Sequence, residues 1–382
     1  MEKWRFRKVK KSYNRLAVAM IAFLLALIPF GISSVYAEEG DIPKWVKTIK
    51  VKGDLRLRYQ LTQKDETGKD IADRSRGRVR ARVGVSAKVT DDVKVAVGFA
   101  SGGDDPRSTN QSFDDSFSSK GLQLDYAFAE IKPADPVKLY GGKIIRKKVI
   151  WAPSDLLWDG DINVEGGALH LMMGPIFLNA GGFIIEENKA NSDPTLFVVQ
   201  PGVKIKAGNW IIKGAVAYYA FSSVQGNTLD FTAGTNSPDG NGNLLYDYDA
   251  FSPALEIGIK EPAGETLPYA AVLAEYVDNS DPSDKNTGLL VGFKVGAKKV
   301  KDAGQWQFKY LYRKLEKDAW IDAFPDSDFA GGKTGYKGHE LIAQVGIKKN
   351  VIFGLDYYMT EEIDSTSDKE EKILQADLVM KF

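Results

Sequence analysis

Four arginines recur at every second residue from Arg76 to Arg82, with Gly77, Val79 and Ala81 between them. Upstream, Lys50, Lys52, Arg56 and Arg58 share the same two-residue spacing with Asp54 and Gln60. Ile49, Val51, Leu55, Leu57, Tyr59 and Leu61 hold alternate positions. Guanidinium and ammonium groups stay protonated near neutral pH, so such rows do no proton or nucleophile chemistry. They can attract anions and set up an electric field. A second group is acidic. Asp155, Asp159, Asp161 and Glu165 lie in KIIRKKVIWAPSDLLWDGDINVEGG, from Lys143 to Gly167, beside Trp151, Leu156, Leu157 and Trp158. Lys143, Arg146, Lys147 and Lys148 precede those acids and could join the basic side.

Other chemistry fails on spacing. Asp159, Asp161, Asn163 and Glu165 alternate oxygen ligands as a calcium loop does, but an EF-hand's glycine position holds Val164 and its twelfth holds His170. Asp239, Asn241, Asn243 and Asp247 form a similar set without the motif. His170 and His339 have no nucleophile motif beside them. No Gly-rich phosphate loop, zinc spacing or nucleotide fingerprint appears. We therefore expect no enzyme, no metal and no cofactor. Cysteine is absent, which excludes disulfides and thiol chemistry.

A two-residue period puts alternate side chains on opposite faces of a strand, so the basic rows belong to strands. The surroundings of those strands follow from the amino terminus. Lys3, Arg5, Arg7, Lys8, Lys10, Lys11 and Arg15 precede an apolar run from Leu16 to Ile32, and Val35-Tyr36-Ala37 suits a cleavage site. We expect an export signal over residues 1–37, cleaved after Ala37, and one barrel domain over 38–382. The 382-residue chain has 51 basic and 51 acidic residues, and removal of seven basic residues and one acid leaves a net charge of about -6. An acidic balance argues against nucleic acid as a partner.

No later apolar run is long enough to cross a bilayer as a helix. A membrane location would require a closed barrel, because lipid offers backbone groups no partners. Connections support one. About sixteen alternating segments are joined by short turns, such as Thr90–Asp92 and Gly174–Pro175, and by long polar ones, such as Ser101–Lys120, Lys143–Asn163, Ser222–Tyr248 and Lys317–Gly338. Trp45, Trp210 and Trp306 open strands running one way, and Tyr59, Tyr276 and Tyr312 lie near the far ends, as two interfacial belts would. A basic residue facing mid-bilayer lipid costs roughly 2–4 kcal/mol. Four on one strand would cost on the order of 10 kcal/mol, so the basic face must point inward, into water. Adjacent arginines about 7 Å apart repel by only about 0.6 kcal/mol in bulk water.

Leu374, Ala376, Leu378, Met380 and Phe382 share one face of the last strand, and Gln375, Asp377 and Lys381 the other. This ending resembles the carboxy-terminal signature of outer-membrane β-barrels, in which a terminal Phe is read by the barrel-assembly machinery; Phe382, Met380 and Leu378 would carry it. The two Trp and the Leu pair of the third long connection gain little in open water, so that loop should pack against the inner wall.

The same loop resembles a motif of the putative porin family of Gram-negative outer membranes, W-x-P-S-D-L-x-W-D-x-D-I-N-x-E-G, here Trp151 to Gly166. In motif the resemblance covers this loop and the first and last strands; in strand and loop rhythm it covers the whole mature chain. It implies a transmembrane antiparallel β-barrel, all-β, of about 16 strands. General porins fold their third loop inward, and resemblance to them implies Asp155, Asp159, Asp161 and Glu165 facing a basic wall of Lys50, Lys52, Arg56, Arg58, Arg76, Arg78, Arg80 and Arg82. It also implies a homotrimer in outer-membrane lipid and lipopolysaccharide. The expected function is passive diffusion of small hydrophilic solutes, with anions favoured. The alternatives are a channel specific for phosphate, carboxylates or sugars, the last using Tyr218, Tyr219, Tyr357 and Tyr358, and a non-conducting barrel that anchors external loops.

Overall fold

A computed structural model describes residues 43, 45–69, 71–189, 192–365 and 369–382. The expected export signal lies outside them. Two units divide the chain, Met1–Lys47 and Thr48–Phe382. In the first, the Val46 N–H donates to the Pro43 carbonyl at 2.9 Å.

Among the described residues, seventeen strands form the second unit: β1 (Lys50–Asp65), β2 (Arg74–Lys88), β3 (Val93–Ser101), β4 (Gln111–Ser112), β5 (Leu122–Ala134), β6 (Val137–Ile145), β7 (Asn163–Met173), β8 (Ile176–Ile184), β9 (Thr195–Ala207), β10 (Trp210–Ser222), β11 (Ala250–Ala263), β12 (Leu267–Asn279), β13 (Thr287–Gly296), β14 (Trp306–Leu315), β15 (Tyr336–Lys348), β16 (Val351–Glu362) and β17 (Glu370–Lys381). Every paired neighbour runs antiparallel, and β1 pairs with both β2 and β17, so the sheet closes. β4 is two residues long and pairs with β2 beyond the end of β3. The wall therefore has sixteen full strands.

Closure satisfies every strand edge, which is what lipid demands. At the seam, Leu55, Leu57, Tyr59 and Leu61 lie opposite Met380, Leu378, Ala376 and Leu374. This outer face is apolar and open: Leu57, Tyr59, Val97, Phe197, Leu255 and Phe293 are among its exposed residues. Lipid stabilises such a band and water does not. Trp210 and Trp306 open β10 and β14 as expected and are exposed. Among the described residues no helix is long and apolar enough to cross a membrane.

Two further connections, residues 185–194 and 280–286, complete the alternation of short turns with long loops. Segment 185–194 has little apolar content to mark its ends. β1 runs on to Asp65 and β2 starts at Arg74, so a short segment joins them at the long-loop end.

The interior is not empty. The loop after β6, residues 146–162, folds inward, and Ile150, Leu156, Leu157 and Trp158 are completely buried. A second loop, residues 316–335, meets it with Trp320 and Ile321. Trp158 stacks on Phe324 at 5.1 Å, meets Trp320 edge-on at 5.6 Å and lies 6.1 Å from Tyr219 of β10. The Trp320 indole N–H donates to the Leu157 carbonyl at 2.7 Å. Inward residues of the wall, including Phe221, Leu273, Val277, Leu290 and Leu311, complete this core. Each large apolar side chain buried there contributes roughly 1.5–3 kcal/mol, which is why the loops stay inside.

Candidate functional site

Arginine density is set by the register of β1 and β2. Arg56 lies directly opposite Arg80, and Arg58 opposite Arg78. Like charges facing across a ladder destabilise it. Carboxylates from three directions offset this. Asp54 of β1 accepts from Arg80 at 2.7 Å and from Arg82 at 2.9 Å. Asp377 of β17 accepts from Nε and Nη2 of Arg58 at 2.7 and 2.8 Å, a two-pronged pair. Asp328, on the 316–335 loop, accepts from the same guanidinium at 2.9 Å.

The loop between β3 and β5 covers the rest of the row. Asn110 accepts from Arg56 at 2.5 Å, and the Ser108 hydroxyl accepts from Arg78 at 3.4 Å. Gln60 accepts from Arg78 at 3.0 Å. The arginines are thus held by acids and amides, where the sequence reading relied on water alone; Arg58 and Arg80 are buried. Arg76 is half-buried, and its Nε has no hydrogen-bond partner among the described residues. Lys50 and Lys52 lie on the same strand face nearer the short-turn end and are exposed.

The four loop acids go to four different places. Asp161 reaches the arginine row, 3.2 Å from Arg82, and accepts from the Thr109 hydroxyl at 2.8 Å. Burial alone would raise its carboxyl, but Arg82 and Arg80 outweigh burial and hold it low. Asp155 faces the opposite wall, 3.4 Å from Arg313 of β14. Burial opposes its ionisation and Arg313 overrides it, so this carboxyl also lies low. Asp159 accepts from the backbone N–H of Ser327 and of Asp161, each at 2.8 Å. Burial, then the charge of Asp161, push it up to about 7. Glu165 lies on β7, pairs with Lys143 at 2.6 Å and is largely exposed, apart from the other three.

Trp151 stays half-buried, and its position is dictated from the wall. The buried Gln200 side chain of β9 accepts from the Trp151 N–H at 2.9 Å and donates to its carbonyl at 2.7 Å. Asn179 of β8 donates to the same Gln200 oxygen at 2.8 Å, so its own oxygen faces Nδ1 of His170 at 2.7 Å. That nitrogen must carry the proton. The ammonium of Lys213 sits 4.6 Å from the Trp151 ring centre. Of the loop's other bases, Arg146 is buried 5.8 Å from the Trp158 ring, and Lys148 pairs with Glu130 at 3.2 Å.

Sequence reasoning missed the second inward loop. Its signal was present: Trp320, Ile321 and Phe324 lie among Asp318, Asp322, Asp326 and Asp328, the same mixture of apolar anchors and acids that marked the first. It also missed a cluster on the far wall. Asp155, Asp326 and Glu340 bring carboxylate oxygens within 4.8 Å of one another. Arg313 sits among them, 3.0 Å from Asp326 and 2.9 Å from Glu340, in the place a cation would take. In the loop at Asp239, one carboxylate oxygen accepts from the backbone N–H of Asn241 and of Asn243 at 2.7 and 2.9 Å, which fixes a turn.

Open space runs beside the loop. A cavity of about 310 Å³ is lined by Lys52, Asp54, Arg82, Lys147 and Asp161. Another, of about 190 Å³, lies on the long-loop side and shares Asp125, Asp161 and Asn163 with it. Charged groups of both signs thus border both spaces.

The barrel is similar to solved porins. It matches OprB of Pseudomonas putida with a TM-score of 0.60 and 11% identity, over 88% of this chain and 95% of that one. Salmonella typhi OmpF, solved with daunomycin, matches at 0.53 and 13% identity, over 87% and 97%. A Rhodopseudomonas blastica porin mutant matches at 0.50 and 10%, over 87% and 100%. At such identities the likeness concerns the fold. No curated protein matches the sequence. A family model described as "Putative porin" matches residues 62–244 and 239–382, the two inward loops included. With the closed wall, the inward third loop and that match together, the chain belongs to the putative porin family.

Proposed function

We propose that this protein is an outer-membrane channel through which small hydrophilic solutes diffuse passively, with selectivity set by charge at the inward loops. The observation that carries this reading is the facing of Arg56, Arg58 and Arg82 with Asp161, Asp328 and Asp377 inside a closed barrel. A polar neck of this kind needs water on at least one side, since dry charges would cost several kcal/mol each. Opposed rows also make a transverse field that orients dipolar solutes. The chemistry is confined to non-covalent contacts.

The remaining parts of the reading rest on sequence and family. Residues 1–37 would be removed on export, Phe382, Met380 and Leu378 would present the ending to the barrel-assembly machinery, and the barrel would sit in lipid and lipopolysaccharide as a homotrimer. A sugar track of Tyr218, Tyr219, Tyr357 and Tyr358 finds little support, because neighbours on a strand face opposite ways: Tyr219 and Tyr358 are buried while Tyr218 is exposed on the outside. An anion preference has better support, since the arginine wall is continuous and lysines follow it toward the short-turn end.

Current across a planar bilayer under a salt gradient tests the reading. Discrete steps with a reversal potential on the anion side are expected. Folded, inserted protein that gives no steps would leave the non-conducting anchor.

A further inference from the structure

At the short-turn end of the barrel lies a cleft of about 780 Å³ between the turn after β11 and the turn after β13. Lys260, Lys298, Lys299 and Lys301 line it, with Glu261 and Glu265. None of these four ammonium groups makes an ion pair among the described residues. That contrasts with β1 and β2, where Arg58, Arg80 and Arg82 are matched to carboxylates.

The surroundings add positive charge. Glu256, beside the cleft, is already engaged by Lys294 at 3.0 Å and by the Tyr269 hydroxyl at 3.1 Å. Lys298 lies 5.2 Å from the Tyr269 ring centre, so the cleft and this group are continuous. Burial and the charges of Lys294, Lys204 and Lys260 hold the Lys298 ammonium below the ordinary lysine range, against the pull of Glu256. Lysines this crowded repel one another, and an anion placed among them relieves the repulsion.

We propose that this cleft is a binding site for a multiply charged oxyanion, bearing phosphate or several carboxylates, at the periplasmic mouth of the barrel. Lysine is a point-charge donor without arginine's fixed fork, so it suits a mobile polyanion better than one planar carboxylate. The volume exceeds what a single phosphate needs and admits a diphosphate or larger group. The occupant would be a solute leaving the channel or the phosphate of a lipid headgroup. The proposal rests on the channel reading for the first of these sources only.

Titration of inorganic pyrophosphate into purified, folded barrel in lipid-free detergent, followed by calorimetry, tests the site without requiring conduction. We expect saturable binding that weakens at least about tenfold in K298Q/K299Q/K301Q, the loss of one charge-assisted contact, and stays unchanged in K337Q, at the long-loop end of β15. Heat-dependent gel mobility confirms that each variant is folded. Repeating the titration in discs with phosphatidylglycerol separates the sources: competition by the lipid assigns the site to headgroups, and its absence assigns it to free anions. Folded wild type without saturable binding, or a triple variant that binds as well as wild type, overturns the site. Binding by protein that gives no current steps keeps the site and removes the channel reading instead.

Discussion

A carboxylate oxygen of Asp328 lies 2.9 Å from Nη1 of Arg58, joining the loop after β14 to the first strand across 270 residues of sequence. Arg58 is thereby held between a wall acid, Asp377, and a loop acid. Burial opposes ionisation of Asp328, and the Arg58 charge reverses that and keeps the carboxyl below its usual range. Wall and loop charges are therefore coupled, and each should report on the other.

Asp328→Asn removes one negative charge beside the arginine row. The reversal potential under a salt gradient should move toward anions, and stability should fall by about 1–3 kcal/mol as Arg58 loses a partner. An unchanged reversal potential would place the conducting path away from this pair.

Asp159 gives a pH dependence with a definite sign. Its carboxyl ionises near 3.8 when unfolded and near 7 when folded. Between those values the folded chain retains a proton that the unfolded chain has lost. Stability on this account falls as pH rises from about 4 to about 7, by on the order of 2–4 kcal/mol, and is flat above. Asp159→Asn keeps an oxygen for the Ser327 N–H and should remove the slope. Thermal unfolding midpoints of both proteins from pH 4 to 8 check this; parallel curves would refute it.

Gln200→Leu leaves the N–H and carbonyl of Trp151 without their wall partner. Each unsatisfied buried group costs about 1–3 kcal/mol, so the start of the inward loop should loosen. Single-channel recordings should show noisier or larger steps, while amide exchange along β8 and β9 stays slow. Identical noise would mean that Leu156, Leu157 and Trp158 suffice as anchors.

The seam makes a prediction about assembly. Gly53 donates to and accepts from the backbone of Phe382 at 2.9 and 3.0 Å. A β-carbon at residue 53 would fall 2.4 Å from the Phe382 ring and from the Arg82 carbonyl oxygen. Gly53→Val should therefore lower stability by about 1–3 kcal/mol through overpacking. Deleting Phe382 removes the ring and both hydrogen bonds and should slow appearance of the heat-resistant folded form. Folding of both variants at the wild-type rate would refute a role for this contact.

The wall was legible because its code is local. A strand's face depends on residue parity alone, so Arg76 to Arg82 could be turned inward, and Leu374 to Phe382 outward, without knowing any partner. Trp158 and the Leu pair betrayed the inward loop because apolar side chains in a polar loop need somewhere to pack. The same rule would have found Trp320 and Phe324, had residues 317–338 been read for anchors as well as for turn residues.

The destinations of the acids were not legible. Asp155, Asp159 and Asp161 alternate in one short loop, yet they reach Arg313, Ser327 and Arg82 on different sides of the interior. Coulomb interaction depends on distance through space, and those distances exist only once β1, β14 and two loops are brought together by barrel closure. Likewise the lysines around the short-turn cleft come from separate turns, and only the register of β11 to β13 makes them neighbours. Periodicity by itself determined which residues face water and which face lipid; the closed sheet decided which charges meet, because pairing is a long-range property and facing is a local one.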